Sequence, residues 1–188
     1  YCEGDIATIL TATGTNLLWY NSIGAIPTTT APTPSTGGPG NFTFYTSQTV
    51  NGCESILASI VVNIYTKPPI PTITANGSLQ ICTGNVVVLT SSSLNNNQWY
   101  KDGNLLTNET NQTYTANASG FYTVAVTLNG QCTSASNATQ VIVNPYPLAT
   151  ITPDGPTTFC PDGSVNLFAN SGANLSYQWY YNGGTLVN

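Results

Sequence analysis

Charge is scarce in this sequence. Charged residues make up 5% of its 188 positions, Lys67 and Lys101 are the only cations, and arginine, histidine and methionine are absent. Seven acids bring the net charge to -5. Neutralising phosphates takes clustered Lys or Arg, so no nucleic-acid partner is expected. An anionic membrane would repel such a surface weakly. No apolar run approaches the roughly 18 residues of a spanning helix, so direct membrane insertion is not expected either. The opening Tyr1-Cys2-Glu3-Gly4 is not a basic stretch followed by an apolar one, and any export signal is expected outside these residues. A catalytic site needs a base and a nucleophile in reach of each other. Here there is no histidine, and the acids stand singly, mostly beside turn glycines, as in Asp102-Gly103, Asp154-Gly155 and Asp162-Gly163. No Asp-x-Asp-x-Asp-Gly calcium loop is present. The expectation is no enzyme, no cofactor and no metal.

What remains can still build a core. Apolar residues reach 40% and aromatics 10%, above what a disordered chain carries. Five cysteines form no Cys-x-x-Cys, and without histidine a zinc site is not expected. Disulfides are left, and the spacing is regular. Cys2 and Cys53 lie 51 apart, Cys82 and Cys132 lie 50 apart, and Cys2, Cys82 and Cys160 follow at intervals of 80 and 78. Each of these opening cysteines is followed by a Trp-Tyr pair: Trp19-Tyr20, Trp99-Tyr100 and Trp179-Tyr180. The closing cysteines follow Asn51-Gly52 and Asn129-Gly130. Landmarks recurring near every 80 residues make a tandem repeat. The spacing predicts the pairs Cys2–Cys53 and Cys82–Cys132, one per complete repeat. Closing a loop of about 50 residues is worth roughly 4 kcal/mol in the chain-entropy model, a large gain for so small a module.

Proline marks the boundaries. Lys67-Pro68-Pro69-Ile70-Pro71 and Asn144-Pro145-Tyr146-Pro147 divide the chain into 1–67, 68–145 and 146–188. Pro-x-Pro stretches favour extended, semi-rigid spacers. The first segment lacks the lead-in strand that the second has over 70–81. The third stops shortly after its Trp-Tyr, so Cys160 is expected to be unpaired through truncation.

Within 68–145 the pattern is all-β. Val86-Val87-Val88-Leu89-Thr90 reads as a buried strand, Asp102-Gly103 as a hairpin, and Tyr122, Val124, Val126 and Leu128 alternate with smaller or polar residues. Short strands around one central tryptophan and a cysteine pair indicate tandem immunoglobulin-like β-sandwich repeats. Gly120-Phe121-Tyr122-Thr123-Val124 resembles the tyrosine-corner stretch of that fold, with Val124 where antibody domains carry cysteine and Val86 or Val88 where they carry its partner. Trp19, Trp99, Trp179 and Tyr122 are expected in the cores. Phe44 takes the place of Tyr122 in the first repeat, which removes the corner's hydroxyl there. If each tryptophan points inward, Tyr20, Tyr100 and Tyr180 point outward and could stack on sugar rings.

Taken together, Tyr1-Cys2-Glu3-Gly4, Leu17-Leu18-Trp19-Tyr20, Thr30-Ala31-Pro32-Thr33-Pro34-Ser35 and the run from Phe44 to Ser55 resemble Ig-like repeats of very large Bacteroidetes cell-surface proteins. The second and third repeats look like a neighbouring variety in the same proteins. The resemblance implies outer-membrane export, usually by type IX secretion, and roles in surface adhesion or gliding motility. It implies an extracellular stalk or filament whose partners are neighbouring repeats, with other filament subunits or glycans as further candidates. The alternative is a carbohydrate-binding accessory module of a secreted hydrolase.

Overall fold

The computed structural model describes residues 1–185, and every regular element among them is a strand. The chain divides into two compact units, Tyr1–Asn144 and Pro145–Asn188.

In the first repeat, β1 (Leu18–Tyr20), β2 (Gly40–Ser47) and β5 (Ala58–Ile64) form an antiparallel sheet in the order β1-β2-β5. Between β2 and β5, β3 (Thr49–Val50) and β4 (Cys53–Glu54) make a two-residue hairpin. Asn51 and Gly52 both take positive φ, 51° and 79°, the left-handed pair that a type I′ turn requires. Trp19, Val62 and Ile64 are buried. The residues that should supply the facing layer do not form named strands. They are joined by isolated hydrogen bonds, such as Leu10 N–H to the Pro32 carbonyl at 2.9 Å. This layer leaves Ile6 95% and Ile26 91% exposed. The first core is therefore small and open on one side.

The second repeat is closed. Its strands are β6 (Ile73–Ala75), β7 (Gln80–Cys82), β8 (Val87–Ser91), β9 (Asn97–Lys101), β10 (Asn104–Leu105), β11 (Thr113–Ala116), β12 (Gly120–Leu128), β13 (Cys132–Ala135) and β14 (Thr139–Asn144). One sheet runs β10-β9-β12-β14-β7, with β13 also on β12, and the other runs β11-β8-β6. Val87 and Leu89 of one sheet meet Trp99, Tyr122, Val124 and Val141 of the other, all essentially solvent-free. The inward positions of β8 are thus Val87 and Leu89, not Val86 or Val88; Val86 is 55% exposed. Pairing of Val87 with Ala116 and of Leu89 with Tyr114 sets that phase. A one-residue slip would turn every side chain of the strand to the other face.

Trp99 is held by polar as well as apolar contact: its indole N–H donates to the Asn111 carbonyl at 2.9 Å. Tyr122 Oη donates to the Ala118 carbonyl at 2.9 Å, closing a tyrosine corner. The two repeats share this register. Thr123 faces Tyr100 as Tyr45 faces Tyr20, so Phe44 does stand at the position of Tyr122. Replacing Tyr122 with phenylalanine keeps the packing and leaves the Ala118 carbonyl without its donor. The expected loss is about 1 kcal/mol, read as a lower denaturant midpoint with an unchanged slope.

In the third repeat, β15 (Ile151–Pro153) pairs with β16 (Leu167–Ala169), and β17 (Tyr180–Tyr181) pairs with β18 (Gly184–Thr185). Trp179, expected in a core, is only half-buried. These two small ladders form no common sheet among the described residues, so no second layer closes over it.

Candidate functional site

The cysteines occupy two kinds of place. An opening cysteine pairs in parallel near the end of its own repeat: Cys2 makes a single bridge to Tyr65, just past β5, and Cys82 ends a three-residue ladder on Asn144. A tight turn follows, with Asp5 N–H bonded to the Cys2 carbonyl and Asn85 N–H to the Cys82 carbonyl, both at 3.0 Å. A closing cysteine instead follows the Asn-Gly hairpin. Cys132 faces Leu128, and Cys53 faces Val50.

These places lie at opposite ends of a repeat. Strand β12 starts with Gly120 beside Val141 and ends at Leu128 beside Cys132, whereas Cys82 lies beside Asn144, beyond Val141. At about 3.3 Å per residue the two cysteines of the second repeat stand roughly 35 Å apart. A disulfide needs Cα atoms within about 7 Å. The expected pairs Cys2–Cys53 and Cys82–Cys132 are therefore replaced by a bond between repeats. Cys2 is joined to Cys132 across a sequence separation of 130, with Cα atoms 5.7 Å apart. Cys53, Cys82 and Cys160 are free and exposed.

The bond sits in a built joint. On the first repeat, Glu3 N–H donates to the Tyr65 carbonyl at 2.8 Å and Tyr65 N–H to the Tyr1 carbonyl at 2.9 Å, anchoring Cys2 to the start of the linker. On the second, Cys132 is fully buried and its Sγ lies 3.8 Å from the Tyr65 carbonyl oxygen. Ser134 Oγ donates to the Pro68 carbonyl at 2.7 Å. Pro68 and Pro71 are buried, and the linker borders one cleft with Val126 and Leu128. The prolines expected to act as a bare spacer are packed onto the end of the second sandwich. Sequence reasoning missed Tyr65, Pro68 and Ser134 as members of this joint.

The three tyrosines after the tryptophans differ. Tyr20 Oη donates to Glu54, and Ser47 Oγ donates to the same carboxylate oxygen at 2.6 Å. The hydroxyl of Ser47, then that of Tyr20, holds the Glu54 carboxyl below its ordinary range; the Glu54 carboxylate in turn pushes the Tyr20 phenol up. Tyr100 is half-buried opposite Thr123, and Tyr180 is 64% exposed. Among the described residues no three metal-ligating side chains come together.

Residues 68–145 match the family model described as Ig-like domain CHU_C associated. No curated protein matches the chain. Among solved structures, murine CEACAM1b is similar at 14% identity, over 68% of this chain and 85% of that one, with a TM-score of 0.37. The fibronectin(III)-like modules of Clostridium thermocellum CbhA give 13% identity over 73% and 83%, with a TM-score of 0.39. The tandem Ig repeats of Dlar give 16% over 72% and 78%, with a TM-score of 0.35.

Proposed function

We propose that the chain is a non-catalytic structural and adhesive segment of a large extracellular protein, in which Ig-like repeats form a stiff stalk or filament on the cell surface. The Cys2–Cys132 bond carries this reading, because a covalent tie beside a packed linker removes the hinge that a linker alone would leave. Disulfides persist in oxidising surroundings, which supports a place outside the cytosol. The likeness of 68–145 to a CHU_C-associated Ig-like domain supports a bacterial surface setting, with type IX export and gliding or adhesion as its finer form. The first partners of each repeat are its neighbours in the chain. The rival reading, a carbohydrate-binding accessory module of a secreted hydrolase, has less support: Glu54 engages the Tyr20 hydroxyl, and Tyr100 is half-buried.

Backbone relaxation by NMR tests the stalk. In the oxidised chain the first two repeats should tumble with one correlation time, and Cys2→Ser should free the second repeat to tumble alone while amides of the first show the fast local motion of an unfolded segment. Separate tumbling in the oxidised chain would refute a stiff joint.

A further inference from the structure

Two free cysteines stand where the formed joint has bonded ones. Cys82 reproduces the setting of Cys2: the parallel pairing, here with Asn144, the Thr83 N–H bond to the Asn144 carbonyl at 2.8 Å, and the following turn. In sequence, Pro147 stands three residues after Asn144 as Pro68 stands three after Tyr65. Cys53 reproduces the setting of Cys132. It directly follows an Asn-Gly pair with both φ values positive, where Cys132 follows its pair after Gln131, and Ser55 stands two residues on, as Ser134 does. In the first repeat Ser55 Oγ donates to the adjoining Ile56 carbonyl rather than to a linker. Both thiols are exposed.

We infer that Cys53 and Cys82 are each one half of a further inter-repeat disulfide, whose other half belongs to another repeat of this kind. Cys82 takes a closing cysteine and Cys53 takes an opening one. The rule is the one Cys2 and Cys132 already obey: an opening cysteine bonds the closing cysteine of the next repeat. Cys160 begins a turn of the same kind, with Gly163 N–H on its carbonyl at 3.0 Å, so it counts as an opening cysteine and is no partner for Cys82. Each bond forms when two thiols give up two protons and two electrons to a disulfide oxidant, which leaves as a dithiol. The inference rests on the stalk reading and extends it from one joint to a covalent series.

The test is peptide mapping of the native protein from its own cells, alkylated before any reductant. Cys53 and Cys82 should escape alkylation and appear cross-linked to cysteines of other repeats. Free alkylation of either, or a bond within its own repeat, overturns the inference. A second chain makes the test independent of the source: residues 148–188 are replaced by a further copy of residues 69–144, so that Pro147 leads into a complete repeat. Cys82 should then lose its alkylation and bond the copied Cys132, while Cys53 remains alkylated. Persistent alkylation of Cys82, with the copied repeat protected from hydrogen exchange, overturns it. Either failure leaves the Cys2–Cys132 joint in place, and the tumbling experiment judges the stalk separately.

Discussion

Replacing Cys132 with serine should unfold the first repeat while the second stays folded. When the first repeat unfolds in the oxidised chain, Cys2 stays tied to the second, and the roughly 65 residues up to the linker form a closed loop worth about 4 kcal/mol in the chain-entropy model. Single domains are stable by only about 5–15 kcal/mol, and this one has an open layer and few buried side chains. The second repeat has its own two-sheet core and depends far less on the bond. Hydrogen exchange reads the difference: amides of β2 and β5 should lose protection, while those of β9 and β12 keep it. Cys82→Ser should change neither set. Equal loss in both repeats, or the same effect from Cys82→Ser, would show that the stabilising bond lies elsewhere.

Trp99→Ala should cost the second repeat about 3–5 kcal/mol. Its side chain is fully buried within the cluster of Val87, Leu89, Tyr122 and Val124, whose members are fixed on paired strands and cannot close the space it leaves. The Asn111 carbonyl also loses its indole donor. Chemical denaturation of the oxidised chain, followed by circular dichroism, should show the early loss of the larger transition. A shift below about 1 kcal/mol would mean that the two sheets are not held through this residue.

Much of the sandwich is legible in the sequence because its signals are local. Asn-Gly and Asp-Gly turns, the alternation from Tyr122 to Leu128 and the Trp-Tyr beat each follow from backbone sterics or strand periodicity, and none depends on distant parts of the chain. The phase of β8 is not legible, since a run of three valines carries no alternation to choose between Val86 and Val87. The cysteine partners escape sequence reasoning for a different reason. Regular spacing shows which cysteines are equivalent, but pairing depends on which end of the sandwich each one reaches. That information lies in the strand directions: one cysteine precedes the second-layer strand β8, and the other follows the hairpin at the far end of β12. A sequence distance of 50 suggests proximity, yet it is the separation of 130 that makes contact.

The joint also changes what a pull on the molecule would stretch. Tension applied ahead of Cys2 and beyond Cys132 passes through the sulfur bridge and bypasses residues 3–131, which lie on a slack branch. At about 3.3–3.6 Å per extended residue, roughly 450 Å of contour length is sheltered for as long as the bridge is oxidised. The local thiol–disulfide balance would thereby govern how far the chain can be drawn out before its backbone bears the load.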